Sequence, residues 1–285
     1  MKASVHFWLL GLLASGATAG FTFAAASSST PKPISQNAAQ SVVAQTLNNN
    51  IPAASQSNLS NFPHWRISLV NQVEQSADFD QFQQRLWTAV HNREASFIRN
   101  IVTPQTTLGS PDNGKPLSAF NINNPEAPFW RQMEKAIAKG CVIEPNSPIP
   151  NRDRGSNVWQ CPGVLRAYEA AQRSKPATGQ YGNYNHVVIV GDNVNVRSQP
   201  GTGAPVIGVV SNEIIQMDRA TFEKLPQRMQ QAFANWNPEG WTPVILPNGK
   251  RGYVQNRFAY EPLGYRAVFV KSGGKWQLRA FVTGD

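Results

Sequence analysis

Between Asn185 and Gln255 most apolar residues fall into short runs broken by Gly, Pro or Asn. Val187–Val190 precedes Gly191-Asp192, and Val194 and Val196 then alternate with Asn193, Asn195 and Arg197. After a Gly/Pro turn over Ser198–Ala204 come Val206–Val210, Ile214–Met217, Trp241–Leu246 and Arg251–Gln255, the last two around Pro247-Asn248-Gly249-Lys250. Successive side chains of a strand point to opposite faces, so short alternating runs at this spacing predict a small all-β barrel, with Val194, Val196 and Val209 filling its interior. One stretch, Asp218–Gly240, breaks the rhythm. Pro226 suits a helix start there, with Leu225, Met229, Phe233 and Trp236 on one face.

Before Asn185 the period is helical. Phe79, Phe82, Leu86, Val90, Phe97 and Ile101 make one apolar stripe, which predicts a helix over Asp78–Val102 that Thr103-Pro104 ends. Asp78 and Asp80 suit its first turn, where free N–H groups and the helix dipole favour acid, and this capping role explains them better than a catalytic carboxylate pair. A second helix over Ala127–Lys139 carries Phe129, Met133 and Ile137, with Trp130 beside them. Lys135 and Lys139 suit its C-terminal end, and Gly140 its closing turn. Gln105–Ser110 reads as a short strand, Val164–Arg173 as one more helix and Ser174–Asn185 as a polar linker.

The N-terminus points to export. Lys2, the apolar run Phe7–Ala14 and Ala17-Thr18-Ala19, with Ala24-Ala25-Ala26 as a second cleavage candidate, follow the order of a signal peptide over residues 1–26. The alternative is an uncleaved anchor, the one route by which this chain is expected to meet a membrane. Residues 27–61 are rich in Ser, Asn and Gln with Lys32 as their one charge, too polar to offset the entropy of ordering, and are expected to be a disordered linker. A short amphipathic helix over Asn37–Leu47 is the alternative there.

Two Cys in an exported chain read as one disulfide, so Cys141 and Cys161 are expected to pair around a Pro- and Asn-rich loop. The competing reading makes Cys161 a nucleophile, which needs a nearby His; His64, His91 and His186 stand in no peptidase motif. No metal-ligand spacing or phosphate-binding Gly loop is present, so no cofactor is expected.

The order of the β motifs is specific. Asn193-Val194-Asn195-Val196-Arg197-Ser198, then Pro200-Gly201 and Val206–Val210, resembles the opening of bacterial SH3-like domains. Trp241, Val244, Gly249 and Gly252-Tyr253-Val254 resemble their closing half, and the likeness spans Val187 to about Phe258. It implies a non-catalytic module that engages peptidoglycan peptide or another envelope protein. Trp241, Tyr253, Phe258 and Tyr260 are then the aromatic candidates for a binding face; for Trp241 packing inside the barrel is the preferred reading, and for Tyr253 and Tyr260 it is the alternative. Asp218–Gly240 is longer than the usual loop of such domains and long enough to cover the usual groove, so whether that groove is open is undecided by the resemblance.

Tyr265–Lys271 and Lys275–Thr283 form a hairpin around Ser272-Gly273-Gly274, and a lone hairpin is marginal in water. The first region has apolar helices and little sheet for them to cover, so the hairpin is expected to return to it. The expected fold is α+β: a helical N-terminal region completed by a C-terminal β-hairpin, with an all-β SH3-like barrel between them. The expected units are a helical α+β domain with one disulfide over residues 62–184, the barrel over 185–260 and the hairpin over 261–285. The whole arrangement is similar to that of exported bacterial SH3 domain-containing proteins that end in a Trp-rich strand plus Gly-Asp, a likeness that implies no function.

The formal charge of +9 falls to +8 once Lys2 leaves with the leader. Arg66–Tyr184 carries 13 bases and 10 acids, and Asn185–Asp285 carries 11 and 7, so the excess is spread and no nucleic-acid partner is expected. Weak attraction to anionic envelope polymers fits such a surface. The expected protein is a non-enzymatic envelope component in the periplasm or outside the cell. The alternatives are a peptidoglycan hydrolase acting through Cys161 or Glu94, and a structural or small-ligand platform in a periplasmic assembly.

Overall fold

The computed structural model describes residues 59–144, 158–174 and 185–284. The expected leader, nearly all of the linker with its alternative helix at Asn37–Leu47, and most of the polar linker before Asn185 lie outside the described residues. The fold is α+β, with six α-helices and two sheets among the described residues, and strands dominate its C-terminal part.

The apolar stripe of the first region folds as two helices, α1 (Ala77–His91) and α2 (Ala95–Ile101), rather than one. Arg93 takes a left-handed backbone (φ 59°) and turns the chain; its guanidinium donates to the Val90 carbonyl and pairs with Glu134. Ser76, not Asp78, caps α1, its Oγ accepting the Phe79 N–H. Pro104 lies within β1 (Val102–Gly109), which begins directly after α2. Helix α3 (Pro128–Ile137) ends before Gly140, whose left-handed φ of 69° closes it as expected.

The residues next to the two Cys are strands. β2 (Val142–Ile143) and β3 (Val158–Cys161) pair antiparallel, and the Cys141–Cys161 disulfide joins the start of one to the end of the other. The last hairpin, β11 (Arg266–Ser272) and β12 (Lys275–Val282), lies in the middle of this sheet, whose order is β1-β12-β11-β3-β2. β12 runs parallel to β1, and β11 antiparallel to β3. One face, with Ala267, Phe269, Leu278 and Phe281, packs under α1, α2 and α3; the other buries Val158, Val268, Val270, Ala280 and Val282. Phe79 stacks on Trp159 at 4.1 Å between ring centres, the centre of the first core.

The second sheet has seven antiparallel strands in the order β10-β4-β7-β8-β9-β5-β6. They are β4 (His186–Ile189), β5 (Val194–Arg197), β6 (Val206–Val210), β7 (Glu213–Met217), β8 (Trp241–Ile245), β9 (Arg251–Gln255) and β10 (Ala259–Tyr260). β10 and β6 are its two edges, so the sheet is open rather than a closed barrel. Its inner face buries Val187, Ile189, Val194, Val196, Val210, Val244 and Val254. Val210 takes the place expected for Val209, because the β5–β6 register sets Val194 opposite Val210 and turns Val209 away with Asn195.

The outer face of β4 and β7 is also covered. Helix α4 (Val164–Ser174) and Ile67 pack there against Val188, Val190, Ile214 and Tyr260. The stretch after β7 forms α5 (Arg219–Phe222) and α6 (Gln227–Ala234); Phe222 and Phe233 join the inner core, while Trp236 reaches the first core. The two sheets thus share chain segments in both directions.

Candidate functional site

The β8–β9 register brings two of the four candidate aromatics together. Trp241 lies opposite Gln255 and Tyr253 opposite Pro243, and directly paired residues share a face. Val244 and Val254 occupy the other face and belong to the core. Trp241 and Tyr253 therefore point away from the core, and both are half-buried. Tyr253 also lies opposite Arg197 of β5, so the face continues across three strands with Asn195, Arg197, Arg251 and Gln255.

Phe258 and Tyr260 do not belong to this face. Phe258 packs against the inner core, close over Gly191. Tyr260 is buried against α4 and α3, with its ring 4.6 Å from the Lys135 ammonium, and burial pushes its hydroxyl above the usual range. Tyr260 lies in a short strand next to an apolar helix, which buries it, whereas Phe258, just before that strand, is half-buried against the inner core. The stretch over Asp218–Gly240 sends Phe222 and Phe233 into the inner core, opposite Trp241 and Tyr253.

The charges on this face are anchored. Arg251 donates to Asp218 at 2.6 Å, and Arg197 donates to the Ala204 carbonyl at 2.6 Å. Burial alone would raise the Asp218 carboxyl, but hydrogen bonds from Thr221 and Arg251 outweigh it and hold the group below the usual range. Gln255 donates to Glu239, which also pairs with Arg257. Two aromatic rings flanked by fixed guanidinium and amide groups can stack on a flat or aliphatic ligand and hydrogen-bond to its carbonyl or carboxylate oxygens.

The residues of the hydrolase alternative are apart. Cys161 is buried in its disulfide and holds no thiol. Glu94 accepts from Asn92 and lines a shallow surface groove with Arg85, Gln81 and Phe97. Asp78 is engaged by Lys271 and Trp276, each at 2.8 Å, and Asp80 accepts from Gln84. His186 shares a hydrogen bond with Tyr168, and His91 lies 3.9 Å from Glu134. Among the described residues no three His, Cys, Asp or Glu groups gather as metal ligands.

Two polar sites escaped sequence reasoning. Lys135, expected at the C-terminal end of its helix, turns its ammonium between Trp236 and Tyr260 and donates to the Asn256 and Ala259 carbonyls. His64 meets the buried Glu213, a contact between residues 149 positions apart that no local pattern announces.

No family model, no curated protein and no solved structure matches the chain. No helix of the described residues is long and apolar enough to cross a membrane.

Proposed function

We propose that this chain is an exported, non-catalytic envelope protein, and that its second sheet is an SH3-like module for peptidoglycan peptide or an envelope protein. The observation that carries the reading is the pairing of Trp241 and Tyr253 on one half-exposed face, beside Arg197 and Arg251, where most other aromatics are buried in the cores. The order of the motifs from Asn193 to Val254 supports it, and the antiparallel β5–β6 and β8–β9 pairs coincide with those motifs. Because the sheet is open, the reading rests on this exposed face rather than on a barrel mouth.

The test is retention on purified peptidoglycan at low salt. Wild type is expected to be held, and Trp241→Ala with Tyr253→Ala to be released, with unchanged far-UV circular dichroism. No retention of the wild type would remove the cell-wall reading, and crosslinking with mass spectrometry in native envelopes would then decide for or against a protein partner.

A further inference from the structure

Residues Ser60–Ile67 lie along the second sheet as a strap. The Ile214 N–H donates to the Trp65 carbonyl at 2.8 Å, and the Ile67 N–H donates to the Asn212 carbonyl at 2.7 Å, so Arg66 and Glu213 form a β-bridge. The strap pairs with the start of β7, which β8 leaves open because it pairs only with Gln216 and Met217. Phe62 inserts into the inner core, and Ile67 packs on the outer face.

His64 stands in the middle of the strap. Its Nδ1 lies 2.8 and 3.1 Å from the two carboxylate oxygens of Glu213, and its Nε2 lies 3.0 Å from the Ser60 carbonyl. The Glu213 side chain has 0% exposure, and one of its oxygens also accepts the Ser211 N–H. A carbonyl and a carboxylate only accept, whereas a neutral imidazole carries a single N–H. With Glu213 ionised, only the imidazolium satisfies both contacts, and it also supplies the counter-charge that a buried carboxylate requires.

We propose that His64 is a proton-operated catch: its imidazolium closes the strap on β7, and loss of the ring proton releases Ser60–Ile67 and bares the start of the β7 edge. The released edge presents unpaired backbone groups. Other charged and titratable groups around the strap have separate partners. Arg66 donates to the Ser211 carbonyl, and Asp192 in the turn before β5 takes the Asn212 amide. His186 of β4, edge-on to Trp65, shares its ring proton position with Tyr168 of α4, and burial favours its neutral form. This inference stands independently of the ligand proposed for the Trp241 face.

Imidazole changes charge between about pH 5 and 8. A stabilising imidazolium is present at the acid end and lost as pH rises. Hydrogen exchange of the full chain, corrected for intrinsic rates, is therefore expected to show the Ile67 and Ile214 amides protected at acid pH and at least about tenfold less protected at alkaline pH. Amides of β9 are the internal reference. Nitrogen NMR of the labelled ring should show both His64 nitrogens protonated while the strap is closed. His64→Gln, which donates to Glu213 without a titrating proton, should lose the pH dependence, and His186→Gln should keep it. Equal protection at both pH values in the wild type, or a neutral His64 ring under a closed strap, overturns the proposal. Both readouts use the wild type, so a variant that fails to fold does not shield it.

Discussion

The ammonium of Lys135 lies 4.5 Å from the centre of the Trp236 ring, and so ties α3 to the segment that follows α6. Burial pulls this group from its ordinary 10.5 to about 7, against the opposing charge of Glu261. The unfolded chain holds the proton up to the ordinary value, so between about pH 7 and 10.5 it binds more protons than the folded one, and stability rises with pH. Relative to Lys135→Met, which does not titrate, the wild type should gain several kcal/mol, up to about 5, across that window. Urea unfolding at neutral and alkaline pH reads the difference, and a gap that shrinks as pH rises would contradict it.

Removing Tyr265–Asp285 takes out the two middle strands of the first sheet, leaving β1 separated from β3 and β2. The apolar faces of α1 and α3 then lose Phe269, Leu278 and Phe281 beneath them. Amides of α1 should lose their exchange protection in the truncated chain.

Gly252 faces a close backbone approach: an added Cβ would lie 2.6 Å from the Arg197 carbonyl and 2.7 Å from Ile207. The carbonyl belongs to the neighbouring strand and cannot swing aside, so Gly252→Ala should cost about 1–3 kcal/mol, seen as a lower urea midpoint. Gly249→Ala meets no atom within 4 Å, but its φ of 80° strains any side chain, a different cause that a paired measurement would separate by the lack of repacking around Ile207.

Replacing both Cys141 and Cys161 by Ser opens a link between residues 20 positions apart and should lower stability by about 3 kcal/mol on chain-entropy grounds. Both positions are buried, so the loss should appear in global unfolding rather than only near the bridge.

Asp78 is held below its ordinary 3.8, first by the hydrogen bond from Lys271 and further by Trp276, while desolvation opposes them. A depressed carboxyl stabilises above its unfolded pKa and loses that effect as pH falls through the folded one. The Trp276 indole N–H resonance should shift in that acid range, and in Lys271→Ala the shift should move to higher pH.

Repetition in the sequence is what made parts of the fold legible. The stripe from Phe79 to Ile101 repeats at helical spacing, and Val194 and Val196 alternate, so local period identified both elements. What stayed hidden depended on pairing. Whether Val209 or Val210 faces the core follows from the β5–β6 register, which the turn before β6 sets and composition does not reveal. Arg93 breaks a helix through a backbone angle that its side chain type rarely takes. In the candidate site, Trp241 and Tyr253 were separable from Phe258 and Tyr260 only through their strand partners. Lys135 and His64 look like surface residues until distant segments close around them.

The parallel pairing of β1 with β12 has a consequence for how the chain must be made. Val102 meets Leu278, about 176 positions further along the chain. A chain delivered from its N-terminus carries α1, α2 and β1 long before β12 exists, and through that interval their apolar faces lack the two strands that carry Phe269, Leu278 and Phe281. The second sheet needs nothing beyond Tyr260, so it can be complete while the first still waits. Until its final hairpin arrives, the newborn chain is a finished sheet joined to an open, sticky helical layer, the period in which a chaperone has most to protect.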